Sequence, residues 1–325
     1  MVMNKSAYRT IDLFAGIGGI RLGFTAHGCQ TVFAADWDTD AQKMYTANFG
    51  DIPAGDITKI SPATIPDHDI LLAGFPCQPF SIIGQGKGFD DIRGTLFFQI
   101  EEILKTKQPD AFLLENVKQL KTHDRGRTFQ VIIERLERLG YHTHSKVLNA
   151  LDFGLPQKRE RLFIVGFKDG CQFQFPDVQP QITTLSDVLE PEDRIDPKLF
   201  ASADIVEKRL AKIKYPPFYP SIWHENKGGN ISILPYSCAL RSGASYNYLL
   251  VNGNRRFTPR EMLRLQGFPD NFKIVGSCGV IRKLTGNTVA VPVVRAIAGS
   301  MIDALNCFNS RSELNLSQPA SLLTV

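Results

Sequence analysis

The sequence predicts an α/β protein, a doubly wound and mostly parallel sheet joined to a second, smaller and irregular domain. Three observations carry that reading. Short apolar runs alternate with stretches of helical period through the first half of the chain, the pattern of successive strand–helix–strand units. The first apolar run ends in a glycine cluster, Gly16, Gly18 and Gly19, where such sheets form their ligand-binding turns. Beyond about residue 170 the period dissolves into sequence broken by proline and glycine.

Thr10–Phe14 is the first strand, and a helical pattern follows from Gly18 to about His27. Thr31–Ala35 reads as the second strand, and Thr39–Phe49 as a helix with Ala41, Met44, Tyr45 and Phe49 on one face. Ile70–Phe75 and Ala111–Leu114 are continuously apolar, as strands buried on both faces are. Leu96–Lys105 between them is amphipathic, and Phe129–Leu139 is the next helix. Tyr141–Leu148 and Arg161–Phe167 read as later, partly antiparallel strands. Eight prolines between positions 176 and 235 mark the irregular domain. Pro259–Leu265 is a short helix with proline in its first turn. Asn287–Leu305 reads as one apolar helix that must fold back onto the first domain, with a loosely held tail after it. The domains are therefore expected at 1–170 with 286–325, and at 171–285.

With 325 residues, 43% of them hydrophobic and 22% charged, the chain is long enough for roughly two domains and is neither disordered, fibrous nor a small disulfide scaffold. No apolar run approaches the ~18 residues of a bilayer span, and the first residues lack a secretory core. A cytoplasmic protein with no membrane partner is expected. The six cysteines form no CxxC pair, so no metal site is expected. The net charge of +4 is unevenly spread. Residues 208–285 hold 13 basic and 3 acidic side chains, and the remainder 24 basic and 30 acidic. A segment that binds a polyanion has this imbalance; so does a merely solvated basic face.

Four stretches carry chemistry. Phe14-Ala-Gly16-Ile-Gly18-Gly19 lets a ligand approach the backbone closely, but Arg21 stands where a dinucleotide fingerprint needs its last glycine. Asp36, at the end of the second strand, is placed for ribose hydroxyls or is only a helix N-terminal acid; Trp37 is placed to stack on adenine or to fill the core, and Asp56 to bind or merely to cap a turn. In Gly74-Phe-Pro76-Cys77-Gln-Pro-Phe-Ser81, a cysteine between prolines follows an apolar strand. It is either a nucleophile, if nearby positive charge lowers its pKa, or an inert thiol. Gly84, Gly86, Gly88 and Gly94 make the next segment a lid, with Lys87 and Arg93 for phosphates. Glu115 ends the following strand as a proton donor or a cap. Arg159 and Arg161 alternate, as a fork for a carbonyl or phosphate or as a surface ladder.

Taken in order with Gly55-Asp-Ile, Thr258-Pro-Arg-Glu, Leu265-Gln-Gly-Phe-Pro and Gly286-Asn-Thr-Val, these blocks resemble the bacterial DNA 5-methylcytosine methyltransferases of restriction–modification systems. The resemblance covers roughly residues 9–167 and 255–305. It implies the S-adenosylmethionine-dependent methyltransferase version of the fold, with S-adenosylhomocysteine as product and no metal. It implies transfer of a methyl group to C5 of a cytosine flipped out of duplex DNA. Cys77 adds to C6 of the ring, Glu115 acts at N3, Arg161 holds O2 and Arg159 assists. The cofactor site falls on Phe14, Gly16, Gly18, Asp36, Trp37, Asp56, Ile57, Pro76, Asn287 and Thr288, with Asn287 opening the last helix.

The variable target-recognition region matches residues 170–254 in position only, and no plain Thr-Leu pair stands where the family often has one. The DNA contacts expected are Ser81, Lys87, Arg93, Lys227, Gly228, Gly229, Arg241, Arg256 and Arg260. A monomer is expected, alongside a cognate restriction endonuclease acting on the same site without a stable complex. A relative acting on a tRNA cytosine and a non-catalytic S-adenosylmethionine-binding DNA-binding protein are the alternatives; the basic insert weighs against the first, and the Cys77–Glu115 pair against the second.

Overall fold

The computed structural model describes residues 7–76, 96–168, 171–178 and 183–316, with side chains to residue 308. The strands are β1 (Arg9–Leu13), β2 (Gln30–Ala35), β3 (Ile70–Gly74), β4 (Ala111–Val117), β5 (His142–Asn149), β6 (Gln157–Lys158), β7 (Glu160–Phe167), β8 (Ile222–Glu225), β9 (Ile231–Leu234), β10 (Ser237–Cys238) and β11 (Leu249–Val251). The helices are α1 (Gly19–Thr25), α2 (Thr39–Phe49), α3 (Leu96–Lys107), α4 (Arg127–Arg138), α5 (Leu185–Val188), α6 (Ala203–Leu210), α7 (Pro259–Leu265), α8 (Cys278–Asn287) and α9 (Val291–Leu316).

The main sheet runs β2-β1-β3-β4-β7-β5. Strands β1 to β4 are parallel to one another, and β7 lies antiparallel between β4 and β5. The expected α/β class is the observed one. Apolar sequence explains the layering. Ile70, Leu71, Leu72 and Ala73 of β3 are wholly buried, because helices cover both faces. On one face Phe24 of α1 and Val294, Ile297 and Met301 of α9 pack over Ile70, Leu72 and Leu113. On the other, Phe97, Ile100 and Leu104 of α3 and Ile132 and Leu136 of α4 pack over Ile11, Leu71 and Phe112. Each such side chain contributes about 1.5–3 kcal/mol by leaving water. Helix α1 meets α9 so closely that a Cβ on Gly23 would stand 2.9 Å from the Arg295 backbone nitrogen.

The C-terminal helix differs from the single run expected over Asn287–Leu305. Helix α8 ends at Asn287, three residues are non-helical, and α9 starts at Val291. The cause is Pro292, which has no N–H to give the Thr288 carbonyl and whose ring would collide with it in a continuous helix. Asn287 therefore closes α8 rather than opening the last helix. By composition Cys278–Phe308 is long and apolar enough to cross a membrane, yet 61% of its most apolar window is buried within the fold. Helix α9 is a core helix of this sheet, and α8 packs with α7 in a separate apolar cluster.

The irregular region contains more order than its prolines suggest. Strands β11-β8-β9 form an antiparallel sheet, and β10 pairs with β6 beside the main sheet. Trp223 of β8 is buried against Gly253, where a Cβ would fall 2.6 Å from the indole. A third apolar cluster joins Ile17, Ala41 and Met44 beside the glycine turn to Leu240, Leu249, Leu263 and Ile281. The two sheets are thus linked through shared core.

Candidate active site

The turn between β1 and α1 adopts left-handed backbone at Phe14 (φ 54°), Gly16 (φ 54°) and Gly18 (φ 80°). At Gly18 a side chain is excluded twice over, since a Cβ would also lie 2.2 Å from the Phe49 ring. The positive φ at Phe14 is a strained conformation of the kind that collects at ligand sites. Above Gly16 there is open space, with no atom within 4 Å of a Cβ position.

Asp36 holds this turn from below. Its carboxylate accepts the Gly16 N–H at 2.7 Å and the Asp38 N–H at 2.8 Å. Burial pushes its pKa up, while those two N–H groups pull it down. Trp37 beside it is 75% exposed, so it is not a core aromatic; an indole left in water next to an open ledge is free to stack on a planar ligand. Residues 52–56 run alongside the end of β2, where Ala54 N–H bonds the Ala34 carbonyl at 2.8 Å. Asp56 there accepts the Thr58 N–H and hydroxyl at 3.0 and 2.7 Å, and these bonds lower its pKa. The Ile57 side chain is in the core, leaving a ligand only its main chain. Thr288 roofs the turn from the α8–α9 junction, its hydroxyl 2.6 Å from where a Gly19 Cβ would stand. Asn287 beside it is exposed.

Strand β4 continues through Glu115, so this carboxylate is set by sheet geometry rather than by a loop. Glu115 pairs with Gly74 of β3 and Phe163 of β7. Arg161 faces Val117 in the same ladder, which makes it the diagonal neighbour of Glu115 on one face. Arg161 Nε meets Glu115 Oε1 at 3.0 Å. The other oxygen, Oε2, leans over β3, 3.4 Å from a Cβ placed on Gly74. Burial pushes the Glu115 pKa up, and Arg161 and Arg159 draw it partly back. The next side chain, Asn116, donates to the Phe75 carbonyl at 2.9 Å and so pins the start of the turn that leads through exposed Pro76. Cys77, Ser81, Lys87 and Arg93 lie outside the described residues.

Arg159 does different work from Arg161. It is 2% exposed, and its guanidinium donates to the carbonyls of Leu240 and Gly286, both at 3.1 Å, and to that of Thr288. Desolvation drives its pKa down to about 9. An arginine whose terminal nitrogens are spent on main chain fastens the 240 loop to the α8–α9 junction; it is not one tine of a substrate fork. Arg256 donates to the Lys198 carbonyl at 2.8 Å and Arg260 to that of Phe272 at 2.9 Å, so both brace loops while staying half-exposed.

Of the other DNA candidates, Arg241 is exposed and stacks 4.9 Å from the Tyr248 ring centre. Its loop abuts α8, for a Cβ on Gly286 would fall 2.4 Å from the Ser242 nitrogen. Lys227, Gly228 and Gly229 form the tip of the β8–β9 hairpin, organised by Asn226, whose side chain accepts the N–H groups of Gly228 and Asn230 at 2.9 and 3.0 Å.

One buried carboxylate beside the turn, Asp12, has no role in the motifs described above. It lies wholly buried in β1, and neither carboxylate oxygen has a hydrogen-bond partner among the described residues. Desolvation holds its pKa well above the ordinary 3.8, with Arg21 opposing and Asp36 adding to the rise. The signal available was a lone charge in an apolar strand. Because the native state keeps this proton more tightly than the unfolded chain, the carboxyl costs stability as pH rises above about 4 toward the raised value. Asp12→Asn is therefore expected to flatten the fall in stability with rising pH, measured by urea unfolding at a series of pH values; an unchanged slope would refute it.

The C-5 cytosine-specific DNA methylase family model matches residues 8–303. The chain is 63% identical to the Type II methyltransferase M.HaeII of Haemophilus aegyptius over 299 residues, 92% of this chain and 94% of that one. It is also 63% identical to M.NgoBI of Neisseria gonorrhoeae, over 89% of this chain and 91% of the relative. Among solved structures, the Entamoeba histolytica methyltransferase EhMeth superposes with a TM-score of 0.73 at 18% identity, covering 93% of this chain and 99% of its own. That likeness supports the fold alone. With the glycine turn, the Glu115–Arg161 pair and a match over nearly its whole length, the chain belongs to the C-5 cytosine-specific DNA methylase family and is a DNA (cytosine-5-)-methyltransferase.

Proposed function

We propose that the protein methylates C5 of a cytosine flipped out of a specific duplex DNA site, as the modification partner of a restriction endonuclease. The observation that carries the reading is the buried Glu115–Arg161 pair, set over the end of β3, the strand that Cys77 follows in sequence, and on the same sheet edge as the glycine turn.

S-adenosylmethionine, when bound, supplies the methyl group. The open ledge over Gly16, the exposed Trp37 indole and the Asp36 carboxylate suit its nucleoside, and Thr288 closes the turn from above. Phe14, Gly18, Asp56, Pro76 and Asn287 complete the surface on this reading. The chain's own groups prepare the base. Cytosine C5 is a poor nucleophile, so the Cys77 thiolate first bonds to C6. Glu115, whose hold on a proton burial strengthens against the pull of Arg161, gives that proton to N3 and takes the negative charge that would otherwise build on the ring. Arg161, already beside Glu115, fixes O2. The electron pair released at C5 then takes the methyl group. Loss of the C5 proton to a base and expulsion of the Cys77 thiolate restore the aromatic ring, with N3 returning its proton.

The test uses the whole protein, labelled S-adenosylmethionine, genomic DNA and tRNA. Label is expected in DNA at one recurring sequence, and label in tRNA instead would overturn the reading. Duplexes carrying 5-fluorocytosine at the mapped position cannot lose fluorine as a cation. Wild type is expected to remain covalently attached to them, and Cys77→Ala to form no adduct.

A further inference from the structure

We infer that the protein grips duplex DNA beyond its target site through an aromatic and lysine shelf, residues 212–219 with the β8–β9 turn. The inference rests on the DNA reading above and extends it from the expected Lys227–Gly229 contacts to residues 212–219, which no sequence block marks.

The shelf is built between α6 and the small sheet. Arg209 of α6 bonds Glu225 at 3.0 Å, and Lys212 bonds the Gly229 carbonyl at 3.0 Å, so the chain leaving α6 is moored to the hairpin. Between them lies a groove of about 810 Å³, walled by Ile213, Tyr215 and Phe218 on one side and Gly228 to Ile231 on the other. Tyr215 is 80% exposed, Tyr219 65% and Phe218 47%. Three adjacent aromatics left in water cost hydration free energy and mark a contact surface. Lys214 and Lys227 flank them, exposed and without a carboxylate partner among the described residues.

Position selects the occupant. Glu225 N–H bonds the Tyr248 carbonyl at 2.9 Å, which brings the hairpin turn and the 241–247 loop to one end of the small sheet. That loop touches Gly286, and Thr288 two residues on covers the glycine turn. The shelf therefore shares one end of the small sheet with the loop that carries the exposed Arg241. Duplex held by that loop lies next to Lys227 and Lys214, where flat rings and free ammonium groups suit a backbone of repeating charge. An acidic peptide would satisfy the charge but has no reason to depend on duplex length.

The experiment compares two duplexes that carry the mapped site, one ending just outside it and one extended by a helical turn on each side. Wild type is expected to bind the long duplex more tightly. Tyr215→Ser/Tyr219→Ser is expected to lose that preference while methylating the short duplex at the wild-type rate. Lys214→Ala is expected to lower the slope of log affinity against log salt by about 1 on the long duplex only. Equal losses on both duplexes, no loss on either, or competition by polyglutamate without any dependence on duplex length would overturn the inference. Failure of wild type to methylate either duplex would instead sink the proposed function.

Discussion

Replacing Glu115 with glutamine is expected to cut turnover by about 10²–10⁴-fold, the usual share of a positioned proton donor, with cofactor affinity nearly unchanged. Glutamine keeps the shape and can still face Arg161, but it has no acidic proton for the ring. The structure supplies a sharper signature than the magnitude. Burial raises the Glu115 pKa against the pull of Arg161 and Arg159, so wild type keeps the donor protonated further toward neutral pH than a free glutamate would. Its turnover should therefore fall on the alkaline side as Glu115 ionises, and on the acid side as Cys77 is protonated. The glutamine variant should lose the alkaline limb and keep the acid one. Single-turnover rates across pH, with cofactor binding followed by Trp37 fluorescence, would check this. A parallel loss of cofactor affinity would show that Glu115 serves the fold instead.

The largest effect on stability is expected at Glu261. Arg255 and Glu261 pair through two bonds of 2.9 and 2.8 Å, with side chains 3% and 0% exposed. Glu261 also accepts the N–H groups of Thr258 at 2.8 Å and Glu190 at 2.9 Å. Glu261→Ala leaves a buried guanidinium without its counter-charge and two N–H groups without an acceptor. Breaking such a pair costs about 3–5 kcal/mol, much of the stability a domain has. A shift of the urea midpoint at unchanged slope would measure it. Removing both charges with Arg255→Met/Glu261→Leu should be less damaging, since no charge is stranded and only the N–H groups of Thr258 and Glu190 still lose their acceptor. Similar losses in the single and double variants would refute the account.

This pair also explains what charge counting along the sequence could show and what it could not. The basic window 208–285 was legible as an imbalance, but much of that charge is spent inside the fold. Arg209, Arg255 and Arg264 pair with Glu225, Glu261 and Asp270, and Lys283 with Asp38 and Asp40. Arg256 and Arg260 hold carbonyls. Composition counts charges but does not say which way they face. The strand–helix alternation was legible almost residue by residue, because parallel strands buried on both faces must be continuously apolar; α2 and α7 fall where period and capping residues put them. The break before α9 was less so, since Pro292 looks tolerable in an apolar run until one asks which carbonyl it faces. The roles of Arg159 and Arg161 separated only in three dimensions. Two alternating arginines read alike, yet one strand register gives Arg161 a carboxylate and the end of another gives Arg159 three carbonyls.

The meeting of Thr288 with Gly19 has a consequence for biosynthesis. A ribosome delivers the glycine turn early and Thr288 about 270 residues later, so a chain cut short before the α8–α9 junction has the turn without this contact. The turn reaches its final packing only after most of the polypeptide has been made.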